Sequence, residues 1–158
     1  MQNKQIVIEY SDYSSIQDLP TDARILMEKA IAATGTAYAP YSRFHVGAAV
    51  QLADATIVSG SNQENIAYPS GLCAERTALF SASAQHPGQP VTAIAIAGRN
   101  TDGNLTEASP CGACRQVLAE YETRYNNPIT VYTYLNGGRI RRVKGVKNLL
   151  PFIFNAEL

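Results

Sequence analysis

Apolar and polar residues along this chain recur with two different periods, that of helices and that of strands. Apolar residues at helical spacing predict three helices: residues 21 to about 35, residues 73–84, and a third that opens at Ser109-Pro110. Thr21 and Ser109 are the expected N-caps, because their hydroxyl groups can satisfy free amides at a helix start. The apolar tail, residues 149–154, is expected to form a further short helix.

Runs of apolar and β-branched residues predict the strands, which are residues 5–10, 44–52, 56–61, 91–97, 129–135 and 140–143. Residues 91–97 are apolar on both faces, which is typical of a central, buried strand. Residues 11–18 and 98–108 are predicted to be loops. Because helices alternate with strands, we expect an α/β fold with helices on both faces of the sheet, a three-layer α/β/α sandwich.

Length and composition indicate one domain with balanced charge. The 158 residues include 13 basic and 13 acidic residues, and the pI is near 6.7. Long polyanions prefer a broad basic surface, so a small-molecule substrate is favoured over a polynucleotide. No apolar run approaches the roughly 20 residues of a membrane span, and the polar start at Met1-Gln2-Asn3-Lys4 does not resemble a signal peptide.

All three cysteines lie in two short segments, one of which also holds a carboxylate. Cys73 stands two residues before Glu75, and Cys111 stands three residues before Cys114. Three thiolates can hold a zinc ion and leave its fourth tetrahedral position open to water, which is the arrangement of catalytic zinc sites. An odd number of cysteines with this spacing favours metal binding in a reducing cytoplasm over a disulfide framework.

Glu75 and Arg76 are the side chains expected to act beside the metal. On a helix, Glu75 does not share the face of Cys73, so we expect it to overlook the open position and to transfer protons. Arg76 is the candidate to hydrogen-bond the cysteine sulfurs and offset their excess negative charge. Each of these assignments has an alternative. Glu75 could serve only the helix dipole, Arg76 could be an ordinary exposed arginine, and the three cysteines could form a structural zinc site, which would need a fourth ligand. His45 and His86, the two histidines, are better explained as ordinary polar residues than as that ligand.

These segments reproduce the signature of zinc-dependent nucleobase deaminases: a ligand, one residue and Glu, followed later by Pro-Cys-x-x-Cys. A longer match resembles one family in particular, the small homotetrameric cytidine deaminases. It runs in order from about residue 25 to residue 154, through YAPYSRFHVGAA (38–49), NQEN (62–65), CAERTA (73–78), PCGACRQV (110–117) and LLP (149–151). The resemblance implies a zinc enzyme with a mixed central sheet of about five strands.

The resemblance also implies roles for five substrate-binding residues. Phe44 matches an aromatic residue that packs on the pyrimidine ring, and Asn62 and Glu64 match a pair that hydrogen-bonds the 3′-hydroxyl of the sugar. Ala74 matches a position whose backbone amide meets the base. Phe154 matches an aromatic residue that closes the site of a neighbouring subunit, in a homotetramer whose sites are shared. Without the resemblance, Phe44 is equally well explained as a core residue, the Asn62–Glu64 pair as part of a solvated loop, and Phe154 as tail packing.

The chain departs from the family pattern at three places. Residues 1–20 form an N-terminal extension ahead of the catalytic domain, which we assign to residues 21–158. Gln63 stands where the family often has an aliphatic residue, next to the expected sugar site, and Ala55 stands where it often has glycine. None of these departures touches the expected chemistry.

The function that the resemblance implies is hydrolytic deamination of cytidine and 2′-deoxycytidine to the uridines, with release of ammonia, in pyrimidine salvage. Glu75 would take a proton from an activated water, whose oxygen attacks the amidine carbon of the substrate. Three other interpretations are a deaminase of another amino-heterocycle such as a nucleoside antibiotic, a non-catalytic interaction module stabilised by zinc, and a polynucleotide editor. The Asn62–Glu64 pair argues against the first, Glu75 against the second, and the neutral charge against the third.

Overall fold

A computed structural model describes residues 1–155 of the chain. Within that range a single sheet has seven strands: β1 (Ser11–Tyr13), β2 (His45–Leu52), β3 (Ile57–Ser61), β4 (Val91–Arg99), β5 (Leu105–Thr106), β6 (Thr130–Tyr134) and β7 (Ile140–Lys144). The α-helices of the described part are α1 (Thr21–Ala33), α2 (Ala74–Gln85) and α3 (Gly112–Tyr125). None of these helices is long and apolar enough to cross a membrane.

The strands are ordered β1-β7-β6-β4-β2-β3, and the short β5 pairs with β4 outside this path. The β4–β6 pair is parallel, with Ala93 opposite Thr130, whereas the other pairs are antiparallel. The sheet is therefore mixed, as the resemblance implied. It has two strands more than the five or so that the resemblance implied and one more than the six that the residue pattern predicted. The very short strands β1 and β5 form at residues that lack a strand-like apolar pattern.

Strand β4 divides the core into two layers by the alternation of its side chains. Ala93, Ala95 and Ala97 lie in the apolar cluster formed with α1, and Ile94 and Ile96 lie in the cluster formed with α2 and α3. Successive side chains of a strand point to opposite faces, so a strand that is apolar throughout can carry helices on both sides. This arrangement confirms the predicted three-layer α/β/α sandwich.

Two glycines let the helices approach the sheet closely. A Cβ atom at Gly47 on β2 would lie 2.1 Å from the Ala30 oxygen of α1, and one at Gly60 on β3 would lie 2.5 Å from the Ala78 nitrogen of α2. Only glycine fits at such a contact between backbones. The Gly60 contact matters for the site, because α2 begins next to Cys73.

The predicted strand at residues 5–10 is wrong. These residues have no regular structure, and Ile6 and Val7 are exposed. The strand forms at Ser11–Tyr13, in the predicted loop, where it pairs with β7. The position of β1 depends on its pairing with the edge of β7. The alternation of residues within 5–13 carries no information about that distant partner.

Helix positions are confirmed, but their expected caps are not. Pro20, not Thr21, is the N-cap of α1, and α3 begins after Cys111 rather than at Ser109-Pro110. The expected helix over residues 149–154 is wrong as well, because the chain there is irregular after a short 3-10 helix at Val146–Asn148. Proline at position 151 lacks an amide hydrogen and disfavours a helical conformation in the residue before it.

Candidate functional site

The three cysteine sulfurs meet where α2 and α3 begin. Cys73 is the N-cap of α2, Cys111 is the N-cap of α3, and Cys114 lies in the first turn of α3. The Sγ atom of Cys111 is 3.8 Å from that of Cys73 and 3.5 Å from that of Cys114, and all three sulfurs lie within 4.8 Å of one another. Sulfurs about 2.3 Å from a tetrahedral zinc ion stand about 3.8 Å apart. The spacing of the sulfurs therefore fits zinc.

The surroundings of Cys73 favour the thiolate form that zinc requires. Hydrogen bonds from the Cys114 thiol and from Arg76 lower the pKa of Cys73 to about 5. The Cys114 thiol, hydrogen-bonded to Cys73 and buried, has a raised pKa in the absence of metal. Two helix N-termini point their dipoles at the cluster, which favours negative charge there. No fourth His, Cys, Asp or Glu within residues 1–155 joins the three.

Arg76 lies one turn after Cys73 and faces the cluster. Its Nη2 atom is 3.7 Å from the Cys73 sulfur, and its buried Nε atom has no hydrogen-bond partner among the residues that the structure describes. A buried donor without a partner is costly. Its place beside excess thiolate charge fits the expected role of offsetting that charge, and the donor set as a whole fits a zinc ion.

Glu75 is a buried carboxylate in the first turn of α2. It is only 3% exposed, and burial raises its pKa to about 7. A carboxyl group with a pKa near neutrality can both accept and release protons at physiological pH, which suits general acid–base work. A carboxylate that only served the helix dipole would gain nothing from this burial.

A cavity of about 400 Å³ joins Glu75 and two of the sulfurs to the expected substrate residues. Its walls come from the starts of α2 and α3, from the chain leading into β2, and from the segment after β3. The cavity is lined by Ser42, Phe44, Val46, Asn62, Glu64, Cys73, Ala74, Glu75, Glu107, Ala108, Ser109 and Cys111. Phe44, Asn62, Glu64 and Ala74 thus share one cavity with Glu75.

Phe154 lies outside this cavity. Its side chain is 87% exposed, and its backbone oxygen accepts a hydrogen bond of 2.6 Å from Gln116. It therefore does not close the site of its own subunit. This position disagrees with packing of the Phe154 side chain against its own core.

Asn62 and Glu64 are less solvated than the loop interpretation supposed. The Asn62 side chain accepts from the Val46 amide at 2.8 Å and donates to the Phe44 oxygen at 2.9 Å. The carboxylate of Glu64 accepts from the Tyr41 amide at 2.8 Å. Hydrogen bonds, the largest from the Ser42 hydroxyl, hold the pKa of Glu64 below its usual range, so it stays ionised at neutral pH.

Sequence reasoning assigned no role to Ser42 or Glu107. The Ser42 hydroxyl accepts from the Phe44 amide at 3.0 Å, and the Glu107 amide donates to the Asn136 side chain at 3.1 Å. The only local signal that either residue lines the site is its proximity in sequence to a predicted site residue. Ser42 stands two residues before Phe44, and Glu107 stands four residues before Cys111. Such proximity does not distinguish a cavity wall from a solvated loop.

Comparison with known proteins decides the family of this chain. A family model described as the cytidine and deoxycytidylate deaminase zinc-binding region matches residues 20–126. A cytidine deaminase of Halalkalibacterium halodurans is 41% identical over 138 residues, which cover 86% of this chain and 96% of that protein. This chain belongs to the cytidine deaminase family. A second member, from Sporosarcina psychrophila, is 41% identical over 86% of this chain.

Solved structures of cytidine deaminases share the fold described above. The crystal structure of the enzyme from Burkholderia pseudomallei has a TM-score of 0.70 and 42% identity, and it covers 82% of this chain and 97% of that one. The enzyme from Mycobacterium tuberculosis has a TM-score of 0.69 or 0.68 in two of its structures, at 32% identity. The mixed α/β fold is therefore the fold of cytidine deaminases, and the chain is an enzyme of that family.

Proposed function

We propose that this chain catalyses the zinc-dependent hydrolysis of cytidine and 2′-deoxycytidine to uridine and 2′-deoxyuridine, with release of ammonia. The observation that carries the proposal is the buried Glu75 carboxylate in one cavity with converging cysteines. Membership of the family supports deamination of cytidine. Activity on deoxycytidine rests on the cavity contacts assigned to a 3′-hydroxyl, which both nucleosides carry.

Cys73, Cys111 and Cys114 would hold the zinc ion, and when bound the metal supplies positive charge and acidifies a water molecule. Glu75 accepts the proton of that water as its oxygen attacks the amidine carbon of the base. The same carboxyl group delivers that proton to the ring nitrogen, then takes the remaining proton of the added hydroxyl group and passes it to the amine. The C–N bond breaks as the carbonyl group forms, and the amine leaves as ammonia. Proton transfer by one positioned group is typically worth about 10²–10⁴-fold in rate.

The remaining cavity residues bind and orient the nucleoside. Phe44 packs on the pyrimidine ring, and the backbone amide of Ala74 meets the base. Asn62 and Glu64 hydrogen-bond the 3′-hydroxyl of the sugar. Arg76 offsets thiolate charge, so that three negative sulfurs do not suppress the acidification of water.

For the assembly, we propose a homotetramer in which Phe154 closes the site of a neighbouring subunit. The exposure of Phe154 outside its own cavity supports this arrangement. Residues 1–20 form an extension ahead of the catalytic domain, residues 21–158, of which residues 156–158 lie outside the described part. The three free cysteines suit a reducing cytoplasm, where the reaction would serve pyrimidine salvage.

The test is a direct assay of purified protein by ultraviolet absorbance, which changes as cytosine nucleosides become uracil nucleosides. The panel is cytidine, deoxycytidine, cytosine and cytidine monophosphate, with zinc content measured on the same samples. We expect turnover of the two nucleosides, loss of turnover on chelation, and recovery on addition of zinc. A zinc-loaded protein inactive on every member of the panel contradicts the proposal and favours a zinc-stabilised interaction module.

A further inference from the structure

The segment Asn62–Glu64 lies between the two halves of the active site. On one side, the Gln63 backbone exchanges two hydrogen bonds of 2.9 Å with Leu72, the residue before Cys73. On the other side, the Tyr38 amide donates to the Asn62 oxygen at 3.0 Å, and the Glu64 amide donates to the Tyr38 oxygen at 2.8 Å. The segment Asn62–Glu64, called the ribbon below, therefore hydrogen-bonds both to the chain that enters α2 and to the chain that leads into β2.

The side chains of the ribbon hold the loop that carries Phe44. One Glu64 oxygen, Oε2, accepts from the Tyr41 amide at 2.8 Å and from the Ser42 amide at 3.3 Å. Asn62 bonds both the Phe44 oxygen and the Val46 amide. Backbone groups on both sides of the Phe44 side chain are thus fixed by two side chains from one neighbouring segment.

The loop needs such support. Arg43 lies between Ser42, whose amide donates to Glu64, and Phe44. Its φ is +55°, in the left-handed region that residues with a Cβ atom seldom adopt. Tyr41 and Ser42 are exposed, so apolar burial contributes little to their placement. Strained loop conformations persist only where the surrounding contacts over-determine them.

We infer that Asn62 and Glu64 are positioning residues for Phe44, in addition to their contacts with the sugar. This inference rests on the proposed function for its link to catalysis. Asn62 keeps one amide hydrogen and one lone pair free of the bonds described. The Glu64 carboxylate accepts from the Tyr41 and Ser42 amides and from the Ser42 hydroxyl, and its two oxygens have lone-pair capacity beyond these three bonds. Each side chain can therefore hold the loop and contact a hydroxyl group at once, which couples placement of the base to placement of the sugar.

The test compares Glu64→Ala with the unaltered enzyme on 2′-deoxycytidine and on 2′,3′-dideoxycytidine. The second substrate lacks the 3′-hydroxyl, so a residue that acted through that hydroxyl alone would not affect its turnover. We expect kcat/KM for dideoxycytidine to fall by about 10- to 100-fold in Glu64→Ala, the scale of a small misplacement of reacting groups. An unchanged kcat/KM for dideoxycytidine overturns the inference.

Glu64→Gln is the conservative variant, because its amide oxygen can still accept from the Tyr41 and Ser42 amides. We expect it to retain most of the dideoxycytidine activity that Glu64→Ala loses. Asp54→Ala is the matched control, since Asp54 accepts from the Thr56 amide at 2.9 Å in a turn that does not line the cavity. Equal losses in Glu64→Ala and Asp54→Ala would mean a general loss of stability and would contradict the inference.

Amide hydrogen exchange separates this inference from the proposed function. Exchange across residues 41–46 should become at least several-fold faster in Glu64→Ala than in the unaltered protein, with no such change in Asp54→Ala. That result is independent of any substrate. Inactivity of the unaltered enzyme on all cytosine nucleosides would defeat the proposed function alone, whereas unchanged exchange at residues 41–46 would defeat the positioning role alone.

Discussion

Glu75 combines two properties that seldom occur together, near-complete burial and a place beside a cluster of thiolates. Burial raises its pKa to about 7, and the neighbouring Cys73 acts in the same direction. A structural protein would avoid this arrangement, because a buried carboxyl group without compensation costs stability. The proposed role of Glu75 as a proton carrier explains why a buried carboxyl group stands here despite that cost in stability.

Replacing Glu75 with glutamine tests that role. The amide keeps the shape of the side chain but carries no transferable proton, so we expect normal zinc content and a loss of about 10²–10⁴-fold in kcat. Zinc is measured by atomic absorption and kcat by the ultraviolet assay. Turnover close to that of the unaltered enzyme would remove Glu75 from the mechanism.

Ala55 closes the turn between β2 and β3 in a conformation that suits glycine. Its φ is +68°, and its amide donates to the Leu52 oxygen at 3.0 Å. We expect Ala55→Gly to stabilise the protein by about 0.5–1 kcal/mol, because relief of the left-handed strain exceeds the added entropy of the unfolded chain. Ala53→Gly, in the same turn at negative φ, should destabilise by a similar amount. Denaturant unfolding of both variants measures the difference, and equal effects would contradict the explanation.

At the scale of elements, the site depends on how closely α2 packs on β3. We expect Gly60→Ala to cost about 1–3 kcal/mol, because its new Cβ would lie 2.5 Å from the Ala78 nitrogen and the helix backbone must shift. Zinc affinity should fall with stability, since the same helix begins next to Cys73. Gly35→Ala is the control, because a Cβ there would meet open space among the described residues. If Gly60→Ala changed neither the free energy of unfolding nor the zinc affinity, the packing of α2 on β3 would be looser than the structure indicates.

Strand β1 is held to the sheet by a charged contact at Asp12. Arg141 donates to both carboxylate oxygens of Asp12 at 2.9 Å and stands over the Tyr10 ring at 4.4 Å. The hydrogen bond from Arg141 lowers the pKa of Asp12 below its usual 3.8. The contact therefore stabilises the folded protein above that pH, and the stabilisation is lost as the pH falls through the lowered value.

We expect Asp12→Asn to cost less than about 1 kcal/mol, because exposed ion pairs are worth little. Its larger effect should be local, with faster proteolysis of the first 13 residues at pH 7. As the pH falls through the lowered pKa of Asp12, the difference between Asp12→Asn and the unaltered chain should shrink, because Asp12 itself becomes protonated. A difference that persisted at low pH would mean that charge does not hold the strand.

At the scale of the whole molecule, the proposed homotetramer predicts that each active site needs Phe154 from a neighbouring subunit. Phe154→Ala should lower activity, because a neighbouring site would lose the ring that closes it. Zinc content should not fall, because Phe154 lies outside the cavity of its own chain. Mixing Phe154→Ala subunits with Glu75→Gln subunits should restore activity above the sum of the two, since each mixed assembly can pair an intact Glu75 with an intact Phe154. Sedimentation should show a tetramer. Full activity in a monomer would contradict the shared site.

Much of the candidate site could be predicted from local sequence. Cys111 and Cys114 lie three residues apart and Glu75 lies two residues from Cys73, so the sequence predicts that each pair stands at the start of one helix. The N-cap positions of Cys73 and Cys111, where the backbone is extended, were not predicted. The buried run at β4 likewise indicated a central strand. Strand β1 and the role of Ser42 were missed, because both depend on partners distant in the chain.

The sequence alone determined which chemical groups are present and which segments form the helices that carry them, because thiol spacing and backbone propensity are properties of neighbouring residues. Only the tertiary structure decided that Cys73 meets Cys111 across 38 positions, that Glu75 is buried, and that Asn62 and Glu64 hold the Phe44 loop. The first two follow from the packing of α2 and α3 on one face of the sheet, and the third from the segment after β3 lying against the chain that leads into β2. Packing energy depends on surfaces that come together only when the chain is folded.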